Sequence, residues 1–165
     1  MPLSSSDLVY RLSGGASNAV PAASLGGVKS SVALTGSTIF DTVSGAESAA
    51  GDVEYRGIYI HNAHATLTAI GAVLHMQTNT ASSTTTIEIG IGTSALNGTE
   101  QTIADEQAAP SGVTFAPAAS YAAGIVLGDI PPGQHRAVWF RRTITAGSAA
   151  SSDTATPRIT CDSEA

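Results

Sequence analysis

The sequence predicts an all-β protein, an antiparallel β-sandwich of jelly-roll-like type with an extended N-terminal arm. Three observations favour this fold class. Segments in which apolar and polar residues alternate recur through most of the 165 residues, as in strands with one buried face. Charged residues make up only 12% of the chain, against a usual share of roughly one quarter, and glycine occupies 17 positions. No segment has the apolar periodicity of an amphipathic helix.

Residues 1–27 are expected to form the arm and residues 28–165 the β-sandwich domain. Glycine, serine and alanine dominate the arm, and such a segment buries too little apolar area to fold alone. It is therefore either disordered or laid onto a partner. We favour the second alternative because Leu8, Tyr10 and Leu12 would otherwise lie in water.

Strands are predicted from residue 28 onwards. The clearest is 85–92, where isoleucines alternate strictly with polar residues or glycine. Residues 52–62 are apolar on both faces, so this strand is either central in the sandwich or covered by another subunit. Pro157 directs the last strand towards a sheet edge. The predicted strands cover 28–35, 38–43, 52–62, 65–77, 85–92, 101–103, 112–115, 125–127, 134–145 and 158–161.

Turn and loop signals separate these strands. Residues 97–98 are Asn-Gly, a hairpin-type turn, and residues 129–133 contain two prolines and a glycine, which favour a rigid turn. Residues 44–51 are predicted to be a loop of small residues. Within 65–77, alternation predicts that one core face carries Ile70, Ala72, Leu74 and Met76.

Alternation also divides the faces of strand 134–145. Val138 and Phe140 are assigned to the core, which places Trp139 and Arg141 on the opposite face. A Trp beside small Ala and Thr neighbours is expected to be buried by a subunit contact. Trp and Arg also dominate interface hot spots. We therefore expect Trp139 and Arg141, together with the apolar residues of the arm, to lie at an oligomer or capsid interface.

The charge balance limits the partners. The chain has 7 Lys and Arg against 13 Asp and Glu, a net charge of −6. Phosphate backbones and anionic lipids would repel it on average, so neither a nucleic acid nor a membrane is expected as a partner. The single cysteine, Cys161, cannot form an intrachain disulfide. Synthesis in a cytoplasm, without an export signal or a membrane span, is the expectation.

Motifs that carry chemistry are weak. Residues 90–95 match G-x-G-x-x-A, but no helix is predicted after them, so close sheet packing at small residues is favoured over a dinucleotide site. His61 and His64 have no cysteine or carboxylate arranged nearby in sequence to complete a zinc site, and a hydrogen-bonded turn is favoured. No nucleophile motif is present. We expect no cofactor, no metal and no enzymatic activity.

Several segments resemble small virion proteins of tailed bacteriophages. The resemblance lies in the composition and in short stretches of similar sequence at residues 8–15, 86–90, 96–101, 112–115 and 127–142. It covers most of the chain and includes no catalytic signature. The resemblance implies a structural protein, with capsid decoration (cement) proteins as the nearest class.

This resemblance carries further expectations. The chain would bind the major capsid protein on the outer capsid and stabilise the DNA-filled head, as a homo-oligomer that is a trimer or, as the second choice, a dimer. It would be made in the host cytoplasm and reside in the virion. A neck, tail or fibre component is the first alternative. A carbohydrate-binding adhesive β-module is the second, although the chain has few aromatic residues for sugar stacking.

Overall fold

Antiparallel strands make up most of the regular structure. The computed structural model describes residues 3–4, 6–35, 39–80, 82, 84–147 and 154–163. One short helix, α1 (Gly45–Ala50), and two 3₁₀ helices (Pro21–Ala23 and Tyr121–Ala123) accompany the strands. The strands are β1 (Leu8–Leu12), β2 (Gly26–Gly27), β3 (Asp52–Asn62), β4 (Ala69–Thr78), β5 (Thr85–Ile91), β6 (Glu100–Thr102), β7 (Ile125–Ile130), β8 (His135–Ile144) and β9 (Thr156–Ser163).

The strands form three sheets. A four-stranded sheet has the order β1-β3-β8-β5, a three-stranded sheet has the order β7-β4-β9, and β2 pairs with β6. Every pairing is antiparallel. The all-β prediction is therefore confirmed, and β9 with its Pro157 lies at a sheet edge as predicted.

The main apolar core draws side chains from both larger sheets. From the four-stranded sheet come Leu12, Ile58, Ile60, Ile87, Ile89, Val138 and Phe140, and from the three-stranded sheet come Ala72, Leu74, Met76, Leu127 and Ile130. We call the face of the four-stranded sheet that points into this core its inner face. The assignment of Val138 and Phe140 to the core is confirmed.

The opposite, outer face of the four-stranded sheet is also covered by the chain itself. A second cluster contains Tyr55, Ile103 and Trp139, with partly buried side chains from residues 25, 53, 108, 113 and 115 packed against it. The backbone N–H of Ile103 donates to the carbonyl of Leu25 at 3.0 Å, which ties the two covering segments together. Strand 52–62 is thus central and apolar on both faces without another subunit.

The core face predicted for 65–77 is correct except at its start. Ile70 is exposed, whereas Ala69 is fully buried. The register of β4 shifts between Ala69 and Ala72, and Gly71 within that shift has a φ of +58°. The extra residue reverses the alternation of faces. Even-numbered residues therefore face the core from Ala72 onwards, whereas Ile70 faces outwards.

The predicted N-terminal arm is not confirmed. Residues 8–12 form β1, which pairs with residues 58–62 of β3 in the same chain. Leu8 and Leu12 enter the main core because the inner face of β3 continues into β1. The apolar residues that suggested contact with a partner thus find their burial within the chain.

Three predicted strands are absent. Residues 30–34 run beside β1, with hydrogen bonds from Leu12 N to Val32 O (3.2 Å) and from Leu34 N to Tyr10 O (2.8 Å), yet only an isolated bridge forms there. The Ser30 hydroxyl accepts from Val32 N at 3.0 Å and competes with a regular ladder. Residues 39–43 and 112–115 are irregular, and residue 38 of the predicted 38–43 strand lies outside the described residues.

The predicted loop at 44–51 contains α1. Ser44 Oγ accepts from Glu47 N at 3.2 Å, and Ser44 N donates to Glu47 Oε2 at 2.6 Å. This capping box follows the S-x-x-E signature, which is readable in the sequence. The small residues after it were interpreted as a loop because they give no apolar stripe.

Candidate functional site

Four of the five residues predicted to form an interface are distributed between two cores. Leu8 and Leu12 lie in the main core, Tyr10 packs against it, and Trp139 lies in the second cluster with no exposed surface. Burial raises the pKa of Tyr10. The structure thus brings the three β1 residues together but separates them from Trp139, which points to the outer face. None of these four presents a large side-chain surface to a partner.

Two glycines shape the Trp139 pocket. A Cβ added at Gly26 or Gly57 would lie 3.1 or 3.2 Å from the outer edge of the indole ring. Gly26 also has a φ of +88°, a conformation that favours glycine. The chain can therefore cross the indole at close range, and it supplies the burial that the sequence alone assigned to a partner subunit.

Arg141 pairs with a carboxylate of its own chain. Its Nε donates to Glu88 Oε2 at 2.8 Å, and its Nη2 forms an ion pair with the same oxygen. Glu88 and Arg141 are register partners on β5 and β8. The guanidinium carbon also lies 4.9 Å from the centre of the Phe115 ring. The neighbouring strand of the same chain therefore supplies a carboxylate to Arg141.

A second arginine, Arg142, is buried on the inner face. Its Nε forms an ion pair with Glu54, its register partner on β3. Its Nη1 donates to the carbonyl of Asp41 at 2.6 Å, and its Nη2 lies 3.2 Å from Asp41 Oδ1. The Phe40 ring lies 4.9 Å from the guanidinium carbon. These contacts fix the segment before α1 onto the end of the inner face.

Arg56 completes the buried polar group. Its Nη2 pairs with Glu106 and its Nη1 donates to Tyr55 O at 3.1 Å. The Phe40 ring lies 5.6 Å from its guanidinium carbon. Both buried arginines thus lie against the Phe40 ring, and Arg56 pairs with one carboxylate whereas Arg142 pairs with two. Burial raises the pKa of Glu54, although its bond to Arg142 opposes that shift.

Three carboxylates near this group could approach a cation. One oxygen from each of Glu47, Asp52 and Glu54 lies within 4.8 Å of the others. Calcium and magnesium prefer such oxygen ligands. Glu54 already receives the positive charge of Arg142, and Glu47 caps α1, so the group has a structural role without an ion.

One of the two histidines predicted to form a hydrogen-bonded turn, His64, does so. His64 Nδ1 accepts from Thr66 N (3.1 Å) and Leu67 N (2.9 Å), which confirms the hydrogen-bonded turn. His61 lies on β3 opposite His135 of β8. His61 thus belongs to β3 and His64 to the turn that follows β3, so the two side chains have different neighbours.

The small residues of the 90–95 motif pack closely, as predicted. A Cβ at Gly90 would lie 2.5 Å from Val113 Cγ1, and one at Gly92 would lie 2.7 Å from Ala137 Cβ. Glu100 accepts from Ser94 N at 2.9 Å and from Thr93 Oγ1 at 3.0 Å. The motif therefore folds as a turn against the sheet, with no helix after it.

Exposed apolar side chains lie on the outward face of the three-stranded sheet. Val126 is 68% exposed and pairs with Val73 in the register of β7 and β4. Tyr121 is 55% exposed, and its ring contacts His75 of β4 at 6.1 Å between centroids. Ile70 is exposed on the same strand. We call Ile70, Tyr121 and Val126 the outer patch.

The sequence prediction missed both the buried ion pairs and the outer patch. A signal for the pairs exists, because adjacent arginines on a strand point to opposite faces and each requires its own carboxylate. The identity of those carboxylates depends on strand register. The outer patch has no sequence signal, since Val126 and Leu127 are equally apolar and only sheet packing decides which is exposed.

Comparison with known proteins adds no family to this geometry. Within the described part of the chain, no helix has the length and apolarity needed to cross a membrane. No protein-family model, curated protein or solved structure matches the chain.

Proposed function

We propose that this chain is a structural protein of a tailed-bacteriophage virion, a decoration or cement protein that binds the major capsid protein on the outside of the head. Two features support the proposal. The resemblance described above covers most of the chain, and the fold is antiparallel and β-rich. The side chains described here are engaged mainly in packing and ion pairs, which fits a structural role.

The proposed fold is a jelly-roll-like sandwich. Strand β3 pairs with β8, and β4 pairs with β7, so the pairs are nested along the chain. Successive strands β3, β4 and β5 alternate between the two larger sheets, as do β7 and β8. Nested antiparallel pairs of this kind are typical of double-sheet jelly rolls, which are common in capsid proteins.

The outer patch is the observation that carries the docking proposal. Ile70 and Val126 lie on the three-stranded sheet, Tyr121 lies in the 3₁₀ helix that contacts β4, and all three side chains are exposed in the single chain. Clustered exposed apolar residues mark interaction surfaces more often than isolated ones do. A β surface with exposed apolar side chains suits attachment to the large, regular surface of a capsid.

Stabilisation of the head would follow from mass action. A protein that binds the assembled shell but not its separated subunits lowers the free energy of the shell in proportion to its binding. Packaged DNA presses outwards on the shell, and a subunit bound across a seam opposes separation. Self-association into a trimer or dimer would multiply the contacts through avidity.

Copy number in purified particles tests this function. Quantitative mass spectrometry of virions whose genome encodes the chain should give a copy number comparable to that of the major capsid protein. A copy number far below it would favour the neck, tail or fibre alternative. Absence of the chain from purified virions would overturn the proposal.

A matched pair of variants tests the docking surface. Val126→Asp should abolish binding to heads that lack the protein, because a carboxylate in an apolar contact is left unpaired. Val20→Asp is the control, since Val20 is also exposed but lies in a loop near β2. Both variants should fold, as judged by circular dichroism. Equal binding by the two variants would exclude the outer patch as the docking surface.

A further inference from the structure

Two cations without a described ion pair, Arg11 and Lys29, lie close to one another on this acidic protein. Three of the seven Lys and Arg side chains, namely Arg56, Arg141 and Arg142, form ion pairs. Arg11 and Lys29 do not: no described carboxylate lies within 4.0 Å of either cation. Both side chains are half-buried.

Strand register brings two histidines beside these cations. His61 and His135 are direct partners on β3 and β8, and both belong to the outer face that carries Tyr59. Arg11 is paired with Tyr59 and therefore lies diagonally next to His61 on the same face. Directly opposed residues on one face lie about 5 Å apart at Cβ, and diagonal ones about 7–8 Å.

Lys29 reaches the group from the segment that follows β2. The hydroxyl of Tyr59 donates to the carbonyl of Gly27 at 2.6 Å, so this segment crosses the outer face beside the histidines. A guanidinium nitrogen of Arg11 donates to the carbonyl of Ser31 further along the same segment. Lys29 thus lies between Gly27, which is bonded to Tyr59 of β3, and Ser31, which is bonded to Arg11 of β1.

The electrostatics agree with this placement. Burial lowers the pKa of His61, and the charges of Lys29, Arg11 and His135 lower it further. Burial also lowers the pKa of Lys29, with a contribution from Arg11. These groups therefore repel one another, and each would be stabilised by an anion placed among them.

Several nitrogen atoms of this group have no partner. Among the described residues, Arg11 Nε, His61 Nδ1 and His135 Nδ1 are buried without a hydrogen bond. Buried polar atoms without partners are uncommon in folded proteins, and a bound water or ion is one explanation for them. The nearby carboxylate of Glu100 does not supply them, because it accepts from Thr93 and Ser94.

We propose that Arg11, Lys29, His61 and His135 form a binding site for a single oxyanion group of the phosphate or carboxylate type. The planar guanidinium offers two parallel donors, and the ammonium adds a compact charge, which together suit an oxyanion. A nucleic acid is disfavoured because the net charge of −6 repels an extended polyanion, whereas one oxyanion meets only the local field. The site is independent of the outer patch and of the proposed virion role.

Titration followed by NMR tests the site in the full chain. The ring protons of His61 and His135 are monitored at pH 7 while sodium phosphate replaces sodium chloride at constant ionic strength. A saturating shift at both rings is expected. A parallel titration with sodium acetate separates the two sources, since the better ligand identifies phosphate or carboxylate as the preferred group.

Two charge-matched variants complete the test. Lys29→Gln should weaken binding about tenfold, the usual effect of losing one charge-assisted hydrogen bond. Arg158→Gln removes an equal charge from the exposed side chain of β9 and should leave the affinity within about twofold. If Lys29→Gln does not fold, His135→Gln takes its place with the His61 signal as the readout. Non-saturating shifts with both anions, or equal losses in Lys29→Gln and Arg158→Gln, would overturn the site.

Discussion

At the residue scale, Trp139 is the largest side chain that the protein removes completely from water. It packs against Tyr55 and Ile103 of its own chain, while Gly26 and Gly57 lie close to the edge of its ring. Its indole N–H has no described partner. The indole therefore contributes to the outer face through packing, while backbone and Tyr59 hydrogen bonds tie the covering segments to β3.

Trp139→Ala is expected to destabilise the fold by about 3–5 kcal/mol, because it leaves a large cavity in the second cluster. Trp139→Phe is the control: it keeps an aromatic ring, and the N–H that it removes has no described partner, so its loss should be smaller. Chemical denaturation measures both. A folded Trp139→Ala protein with unchanged stability but altered sedimentation would restore the subunit-contact interpretation of this residue.

Arg142 and Glu54 depend on each other because both are buried. Arg142→Met should lower the free energy of unfolding by about 3–5 kcal/mol at pH 7.5, since it leaves a buried carboxylate without a counter-charge. Exposed Arg158→Met is the control and should change stability little.

The loss in Arg142→Met should diminish at lower pH. Burial already raises the pKa of Glu54 above its ordinary value of 4.5, and removing Arg142 raises it further. The folded state then binds more protons than the unfolded state between 4.5 and the raised pKa, so stability recovers as the pH falls through that interval. Denaturation at pH 7.5 and pH 5 measures this change. A loss that is independent of pH would contradict the assigned charge state.

At the element scale, β1 shows why a short segment with weak composition becomes ordered. Its five residues pair with β3 on one side, and residues 30–34 lie along its other side. Leu8 and Leu12 enter the main core at the same time. The backbone bonds and the core contacts together outweigh the entropy lost by ordering a segment that could not fold alone.

The covering segment on the outer face also depends on close approach to β5. Gly90→Ala should destabilise the protein by about 1–3 kcal/mol, because the new methyl would lie 2.5 Å from Val113 and 2.8 Å from the carbonyl of Thr114. Gly45→Ala is the control: it lies in α1, and a Cβ there meets no atom within 4 Å. This control should stabilise the protein by up to about 1 kcal/mol. Thermal melts that rank the two variants in the reverse order would contradict the described packing.

At the scale of the whole molecule, charge is distributed unevenly. Acidic side chains are in excess, yet the cationic group described above collects Arg11, Lys29 and two histidines on one face. Such a distribution lets an acidic protein attract a single anion locally. It also makes the stability of the whole fold depend on pH near neutrality.

Stability should fall as the pH decreases through the histidine range. Burial and neighbouring positive charges lower the pKa of His61 below its ordinary value of 6.5, and burial lowers that of His135. The unfolded state therefore binds more protons between 6.5 and the lowered values, so the free energy of unfolding decreases as the pH falls through that interval. Denaturation from pH 7.5 to pH 5.5 should show this slope. The His61→Gln/His135→Gln double variant should flatten it, and an unchanged slope in that variant would assign the effect elsewhere.

The sequence by itself determined the class of fold and the principal strands. Strand 52–62 was predicted at its observed bounds, and the strand predicted at 85–92 ends one residue earlier. The assignment of Phe140 to the core also holds. Successive side chains of a strand point to opposite faces of the sheet, so apolar residues recur at every second position wherever one face is buried. The fold class is therefore a local property repeated along the chain.

Only the tertiary structure decided what covers each face. The sequence shows that Trp139 and Leu12 must be buried, but not that residues 24–27, 100–116 and the inner face of β3 bury them. A loop segment of the same chain and a partner subunit can each bury an apolar strand face, and the alternation within the strand is the same in both cases. The carboxylates of Arg141 and Arg142 were hidden for the same reason, because strand register joins residues more than 50 positions apart. Burial requires some apolar surface to be covered, and the source of the cover depends on long-range pairing.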